Sequence, residues 1–497
     1  MPVPQWPYVP GIYRTILTCL YYFAMKKLLL LLSLFLGSAT LQAKVTLPEQ
    51  IGDNMVLQQQ SDARLWGWAK AGATVQITTS WNAPAVSVKA DANGKWVAAV
   101  KTPTASYTPQ TVTISDGEPV TLKDVLIGEV WFASGQSNMD MPLDGYWNCP
   151  IEGGNQTIAT ASQYKGKIRF ATLAHSGAFT PQDKVQGTWK DCNVDNARWF
   201  GATAFYFAEN LQRILDVPVG IMNSAWGGSR VEGWLPAEVL KTYPGEPYTE
   251  QEIVKQSQEY LRSEIMYNGV LHPVIGYTVK GFIWYQGCSN VSSSDTYADR
   301  FAQMITLWRQ RWGQGNLPFY YVEVAPYNYG EGTDVGAILR EAQYKTQFMV
   351  PNAAMVCTND LVSPWEVNQI HPKNKQDVGR RLSYLALNGT YGFSAIRCKG
   401  PEYQSMEVKD GKAILTFRYA DEGFSRMQDV EGFEICGADR KFVKAEVLID
   451  PADRRNLIVS SPAVSQPVAV RYAFHNFSPG NMANIHGLPV VPFRTDK

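Results

Sequence analysis

Hydrophobic and polar positions change rhythm twice along this chain. From about residue 44 to 123 they alternate, in short runs at 63–68, 74–78 and 110–114 separated by turn residues such as Gly72, Gly94 and Gly117. A period of two broken by turns predicts half-buried strands and a small β-sandwich-like module. From 124 to 394 the apolar positions gather instead into continuous runs at 125–131, 217–222, 281–285, 319–324 and 353–357. Runs of this length that are apolar on both faces are the mark of strands buried within a sheet. Helix-like segments at 202–215, 296–310, 336–348 and 373–387 lie between them, and Pro372 stands just before the last, where proline favours a first turn. Strand–helix alternation predicts an α/β domain with a mainly parallel sheet covered by helices. Residues 140–200 interrupt it with a stretch rich in Gly, Asn, Asp and Trp, predicted to be an irregular insertion that shapes or covers a site. From 395 to 497 alternation returns, at 412–417, 433–436, 457–459 and 468–472, as a second β module.

The amino terminus follows a different pattern. Lys26 and Lys27 precede an apolar run at 28–36 broken only by Ser33, and small residues follow at Gly37, Ser38, Ala39 and Ala43. A basic start, an apolar stretch too short to span a bilayer and a small-residue exit predict a signal peptide over 25–43. Residues 1–24 then read as a mis-called start or an extension. The protein is expected to be exported, to a bacterial periplasm or the extracellular space, with no membrane association after cleavage.

Composition narrows the function classes. The 497 residues carry 45 basic and 45 acidic side chains, so the balanced charge offers no nucleic-acid footprint. With 45% hydrophobic and 18% charged residues the chain is that of a folded globular protein. Seven cysteines include Cys19, upstream of the signal, and six beyond it: Cys149, Cys192, Cys288, Cys357, Cys398 and Cys436. None forms a C-x-x-C pair, which disfavours a zinc site, and their spacing does not decide whether they pair.

Candidate chemistry concentrates where apolar runs end. The run at 130–133 leads into Ser134-Gly135-Gln136-Ser137-Asn138, which places a serine beyond a strand and its turn, at the sheet edge where α/β proteins present reactive groups. A serine needs a base and a site for the oxyanion. Histidines are scarce: His175, His272, His371, His475 and His486. His371, in Ile370-His371-Pro372, lies on a loop before a helix, late in the α/β region, where an imidazole can reach over the sheet edge. Gly227-Gly228 follows the run at 217–222, and Gly287 to Asn290 follows the run at 281–285. The N–H groups of Ser137 and Gly228 with the Asn290 amide would make an oxyanion set.

Together, Ser134-Gly-Gln-Ser-Asn-Met139, Trp226-Gly-Gly228, Trp284-Tyr-Gln-Gly-Cys-Ser-Asn290 and Ile370-His-Pro372 resemble the sequence blocks of the sialate O-acetylesterases, within the SGNH hydrolase superfamily. The resemblance covers most of the α/β region. It implies a three-layer α/β/α SGNH-type domain over 124–394, flanked by the β modules at 44–123 and 395–497. It further implies Ser137 as nucleophile, His371 as general base, and Gly228 and Asn290 with the Ser137 amide as oxyanion donors. Gln136 and Arg230 join them as substrate-binding candidates, Arg230 as a partner for a sialate carboxylate. No metal or cofactor is implied. The substrate would be an O-acetylated sugar, either an acetylated sialic acid or, as the alternative, acetylxylan or another plant glycan. Two positions depart from the family pattern: Cys288 stands where Glu is common, and Asn368 where an Asp often precedes the His by three residues. Asp360 is the favoured substitute for that acid, with Glu366 another candidate. A Ser–His dyad, its ring oriented by a backbone carbonyl or Gln369, is the open alternative. The missing Asp also leaves room for an inactive glycan-binding protein. Such a base, at the ordinary histidine value, would lose activity below about pH 6.5.

Overall fold

A single long strand, residues 119–135, runs through the middle of the molecule. The computed structural model describes residues 1–5, 44–425 and 429–496; residues 45–497 belong to one unit. The segment read as a signal peptide, and most of the extension before it, lie outside the described residues. In chain order the first strands are β1 (Val56–Gln58), β2 (Asp62–Trp68), β3 (Thr74–Thr79), β4 (Val86–Lys89), β5 (Lys95–Lys101), β6 (Ser106–Ser115) and β7 (Pro119–Gly135). The α/β region adds β8 (Ile168–Thr172), β9 (Trp189–Asp191), β10 (Val219–Asn223), β11 (Gly281–Tyr285), β12 (Phe319–Val322) and β13 (Ala353–Val356).

Strand β7 is half-exposed in its first residues and fully buried from Val125 onward. Its first part pairs antiparallel with β6, while Leu126 to Gly128 pair parallel with β1. Its second part lies parallel between β10 and β11. The boundary drawn at 123/124 therefore falls inside one continuous strand. Around it the central sheet runs β13-β12-β11-β7-β10-β8-β9, parallel except for β9.

Because successive strand residues point to opposite faces, neighbours in β7 and β11 enter different cores. Phe132, Phe282 and Trp284 pack with Phe301 and Trp308 of the helix Ser294–Trp312 and with Leu339 of the helix Val335–Thr346. Trp131, Ala133, Ile283 and Tyr285 pack on the other face with Phe205 of the helix Ala202–Leu215 and Leu382 of the helix Gln376–Gly389. The result is the three-layer α/β/α arrangement. These helices match the expected segments within a few residues.

The insertion expected to be irregular at 140–200 is partly regular, since β8 and β9 extend the central sheet. Their signal is hidden by Arg169, a fully buried side chain in mid-strand that bonds the Asn54 carbonyl and the Asp124 backbone and carboxylate. Such a charge breaks the apolar run by which a buried strand is recognised.

The carboxyl-terminal residues form two four-stranded sheets. One is built from Glu402–Lys409, Lys412–Arg418, Asn456–Ser460 and Glu446–Ile449; the other from Val443–Lys444, Phe433–Cys436, Ala469–Tyr472 and Phe493–Arg494. Leu415, Phe417, Ile435, Leu457, Tyr472 and Phe493 share a core of their own.

Candidate active site

The carboxyl end of β7 is forced into a tight turn at Gly135, whose φ of +132° suits glycine. A Cβ there would sit 2.3 Å from the Tyr285 carbonyl oxygen. That carbonyl accepts the Gln136 N–H at 2.9 Å, which closes the turn against β11. Gln136 precedes the short helix Ser137–Asp140, so Ser137 is its first residue and the Ser137 N–H is among the donors a helix start leaves without an intrahelical acceptor. The Gln136 amide oxygen accepts the Gly287 N–H at 2.8 Å, fixing that side chain between the two strand ends.

The Oγ of Ser137 lies 2.8 Å from Nε2 of His371. Two ties hold the histidine loop to the serine helix. Asn138 donates its amide to the Ile370 carbonyl at 3.0 Å and accepts from the Lys375 ammonium at 2.8 Å, while Lys375 also donates to the Pro372 carbonyl at 2.5 Å. Lys375 is fully buried, and burial pushes its amine down to about 7. His371 is pushed down to about 4, by burial first and by the neighbouring Lys375 second. Both effects penalise the imidazolium. The ring is flanked edge-on by Tyr146, 5.4 Å away, whose hydroxyl donates to Asp140 at 3.1 Å. Its Nδ1 faces the Cys149 sulfur at 3.6 Å.

None of the carboxylates considered for the acid reaches His371. Asp360 turns toward the helix Gln376–Gly389, where the Arg381 guanidinium holds both of its oxygens at 2.7 and 2.6 Å. Glu366 is spent on backbone, accepting the N–H groups of Ser363 at 2.8 Å and Lys373 at 3.0 Å. Asn368 bonds Asn328. Gln369 is nearer: its Oε1 accepts the backbone N–H of His371 at 3.2 Å.

The oxyanion candidates divide likewise. Gly228 has a φ of +76°, and a Cβ on its neighbour Gly227 would stand 3.6 Å from the Ser137 Cβ, so the glycine turn passes close over the serine. The Ser137 and Gly228 N–H groups donate to no other group among the described residues. Asn290 does not join them. Its NH2 donates to both Glu232 oxygens, at 3.1 and 2.9 Å, and its oxygen accepts from Val231 and Gln286. Arg230 is likewise engaged, with the Glu246 carboxylate at 2.8 Å and the Leu261 carbonyl at 3.1 Å. Glu232 and Glu246 both pair with Arg300 at 2.6 Å. Asn290 and Arg230 are thus parts of one buried ionic cluster behind the glycine turn. Just before the glycine turn, Trp226 is stacked flat by His175, 4.8 Å between centroids, and His175 also bonds the Ala225 carbonyl. Asp140 beside it draws its imidazole up. The six described cysteines are free thiols.

Asn138, Lys375, Tyr146 and Cys149 were not singled out from sequence. Asn138 carried a signal, adjacency to the candidate nucleophile; the other three lie in no recognisable spacing.

A parallel sheet between helix layers, with a serine at a central strand end touching a histidine from a late loop, defines a hydrolase of the SGNH type. A family model described as carbohydrate esterase, sialic acid-specific acetylesterase, matches residues 127–388. The mouse sialate O-acetylesterase is 28% identical over 491 aligned residues, spanning 85% of this chain and 88% of the mouse protein. The human sialate O-acetylesterase is 26% identical, spanning 85% and 86%. Among solved structures, a novel carbohydrate acetylesterase from Xanthomonas citri is 33% identical with a TM-score of 0.81, covering 91% of this chain and all of that one. The chain belongs to the sialic acid-specific acetylesterase family of carbohydrate esterases.

Proposed function

We propose that this protein is an exported serine esterase that removes O-acetyl groups from sialic acids. The observation that carries the reading is the 2.8 Å approach of Ser137 Oγ to His371 Nε2 beside two unspent backbone donors. In the first half-reaction Nε2 takes the hydroxyl proton as Oγ bonds the acetyl carbonyl carbon. The Ser137 and Gly228 N–H groups stabilise the oxyanion that forms, and His371 passes the proton to the departing sugar oxygen. Water then attacks acetyl-Ser137, its proton again taken by His371. Acetic acid leaves as the proton returns to Oγ, and it ionises to acetate in solution.

The test is Ser137→Ala assayed for acetate release from an O-acetylated sialic acid. Loss of a nucleophile is expected to lower kcat by at least ~10³-fold; turnover that survives it rules the assignment out. Export is tested separately, by sequencing the amino terminus of the protein recovered from the periplasm and medium. An intact chain confined to the cytoplasm would refute it.

A second reading, deacetylation of a neutral plant glycan such as acetylxylan, draws support from Arg230. With its guanidinium engaged by Glu246 and Leu261, the residue expected to meet the sialate carboxylate is occupied elsewhere. Side-by-side acetate release from acetylated sialic acid and acetylxylan decides between them through the ratio of kcat/KM values.

A further inference from the structure

An imidazole acts as a base at Nε2 only when its proton sits on Nδ1, and in serine hydrolases a buried carboxylate commonly enforces that tautomer. Here the nearby carboxylates are committed elsewhere: Asp360 to Arg381, and Glu366 to the N–H groups of Ser363 and Lys373. The group that faces Nδ1 is a thiol. We propose that Cys149 is the positioning residue of the base: its sulfur accepts the Nδ1–H of His371 while its own S–H donates to Gln369, so a neutral thiol stands where a triad carboxylate would.

The geometry supports each link. Sγ lies 3.6 Å from Nδ1 and 3.1 Å from Gln369 Oε1. The same Oε1 accepts the His371 backbone N–H at 3.2 Å, so ring and main chain are keyed to one amide. That amide is held in turn, its NH2 donating to the Asn148 carbonyl at 3.2 Å. Cys149 is nearly fully buried, and the turn it closes is fixed by reciprocal backbone bonds between Tyr146 and Cys149, at 3.0 and 3.1 Å. Tyr146, on the same turn, presses edge-on against the imidazole. One turn therefore restrains the ring both in tilt and in tautomer.

The charges around the ring agree with an uncharged partner. Facing His371 are Ser137 from the nucleophile helix, Tyr146 and Cys149 from the turn, and Lys375 from the start of the last helix, with Asp140 reached through the Tyr146 hydroxyl. Burial pushes the Cys149 thiol up, which keeps its proton in place for Gln369. A carboxylate in that position would hold the imidazolium, whereas His371 is pushed down to about 4.

The inference rests on the acyl-transfer reading, and the experiment separates the two. Acetate release from an O-acetylated sugar is followed in wild type, S137A, C149A, C149S and C149D, with thermal midpoints recorded for each. C149A is expected to lose about tenfold in kcat with KM within about twofold, the pattern of an interaction used in the transition state. C149S, which keeps a donor and an acceptor, should recover to within about threefold of wild type. C149D should move the acid limb of kcat/KM upward by about one pH unit or more, because a carboxylate stabilises the imidazolium. A kcat and an acid limb that stay put in both C149A and C149D would overturn the proposal. Should C149D not fold, the His371 Nδ1–H resonance compared between wild type and C149S carries the test, and an unchanged resonance overturns it. Activity surviving in S137A would instead remove the acyl-transfer reading on which the inference stands.

Discussion

At the scale of single residues, with His371 as the base of the proposed mechanism, its environment would set the pH range of the enzyme. Burial and the Lys375 charge both disfavour the protonated ring, so the base form persists to lower pH than a free imidazole allows. The acid limb of kcat/KM is expected near pH 4, well below the value of about 6.5 that an unperturbed histidine would give. A pH–rate profile on an acetyl ester measures it, and a limb at 6.5 would mean the ring is solvated or paired with a charge. Asn138 is the second sensitive point, since its amide serves the Ile370 carbonyl and the buried Lys375 at once. Asn138→Ala should cost about 2–3 kcal/mol by denaturant unfolding, the price of a buried carbonyl and ammonium each losing a partner. It should lower kcat as well, because the loop carrying His371 is released from the serine helix. Ser137 and His371 were legible in sequence because each sits at a punctuated boundary, a strand running into Gly and a His-Pro before a helix. The acid was not. Proximity of Asp360 to a strand end says nothing of where its side chain turns, and the claim of Arg381 on it, 21 residues away, becomes visible only in three dimensions.

Among the elements, the cluster behind the glycine turn has the greatest mechanical consequence. Glu232 is 0% exposed and is balanced by Arg300 and the Asn290 amide; Arg300 also serves Glu246, which holds Arg230. Removing one member of such a set leaves a buried charge without compensation. Arg300→Ala is expected to cost about 3–5 kcal/mol in a chemical-denaturation experiment. Replacing both Glu232 and Arg300 by apolar residues should cost clearly less than the single change, since no orphan charge remains. The same cluster accounts for where the Asn290 amide goes. An asparagine after a strand-end glycine looks like an oxyanion donor, but its partner Glu232 lies 58 residues earlier in a short turn that carries no apolar rhythm. The helices and most sheet strands were legible because burial on both faces leaves an apolar run of its own. Strand β8 was not, because a buried Arg169 occupies its second position.

For the whole molecule, the amino-terminal module and the hydrolase sheet are expected to unfold together. Glu129 on β7 is buried and accepts from Gln58 and Gln59 of the β module and from Tyr391 beyond the last helix, at 3.1, 2.6 and 2.8 Å. A chain begun at residue 124 would lose the β6 ladder, β1 and both glutamines. It is expected to be insoluble or to melt at least ~5 °C below the full chain in circular dichroism, since each kcal/mol lost from a domain of this size lowers the midpoint by only about 1–2 °C. An independent, unshifted transition for the shortened chain would show that β7 needs no support from its amino-terminal half.

The long strand has a consequence for inheritance as well. The family signature starts at residue 127, partway along a strand that begins at Pro119. A recombination event that exchanged the amino-terminal module would have to break the chain inside a hydrogen-bonded ladder, and a newcomer would have to supply a matching half-strand in register. Descent should therefore carry the two pieces as a pair, with shuffling confined to junctions where no strand crosses.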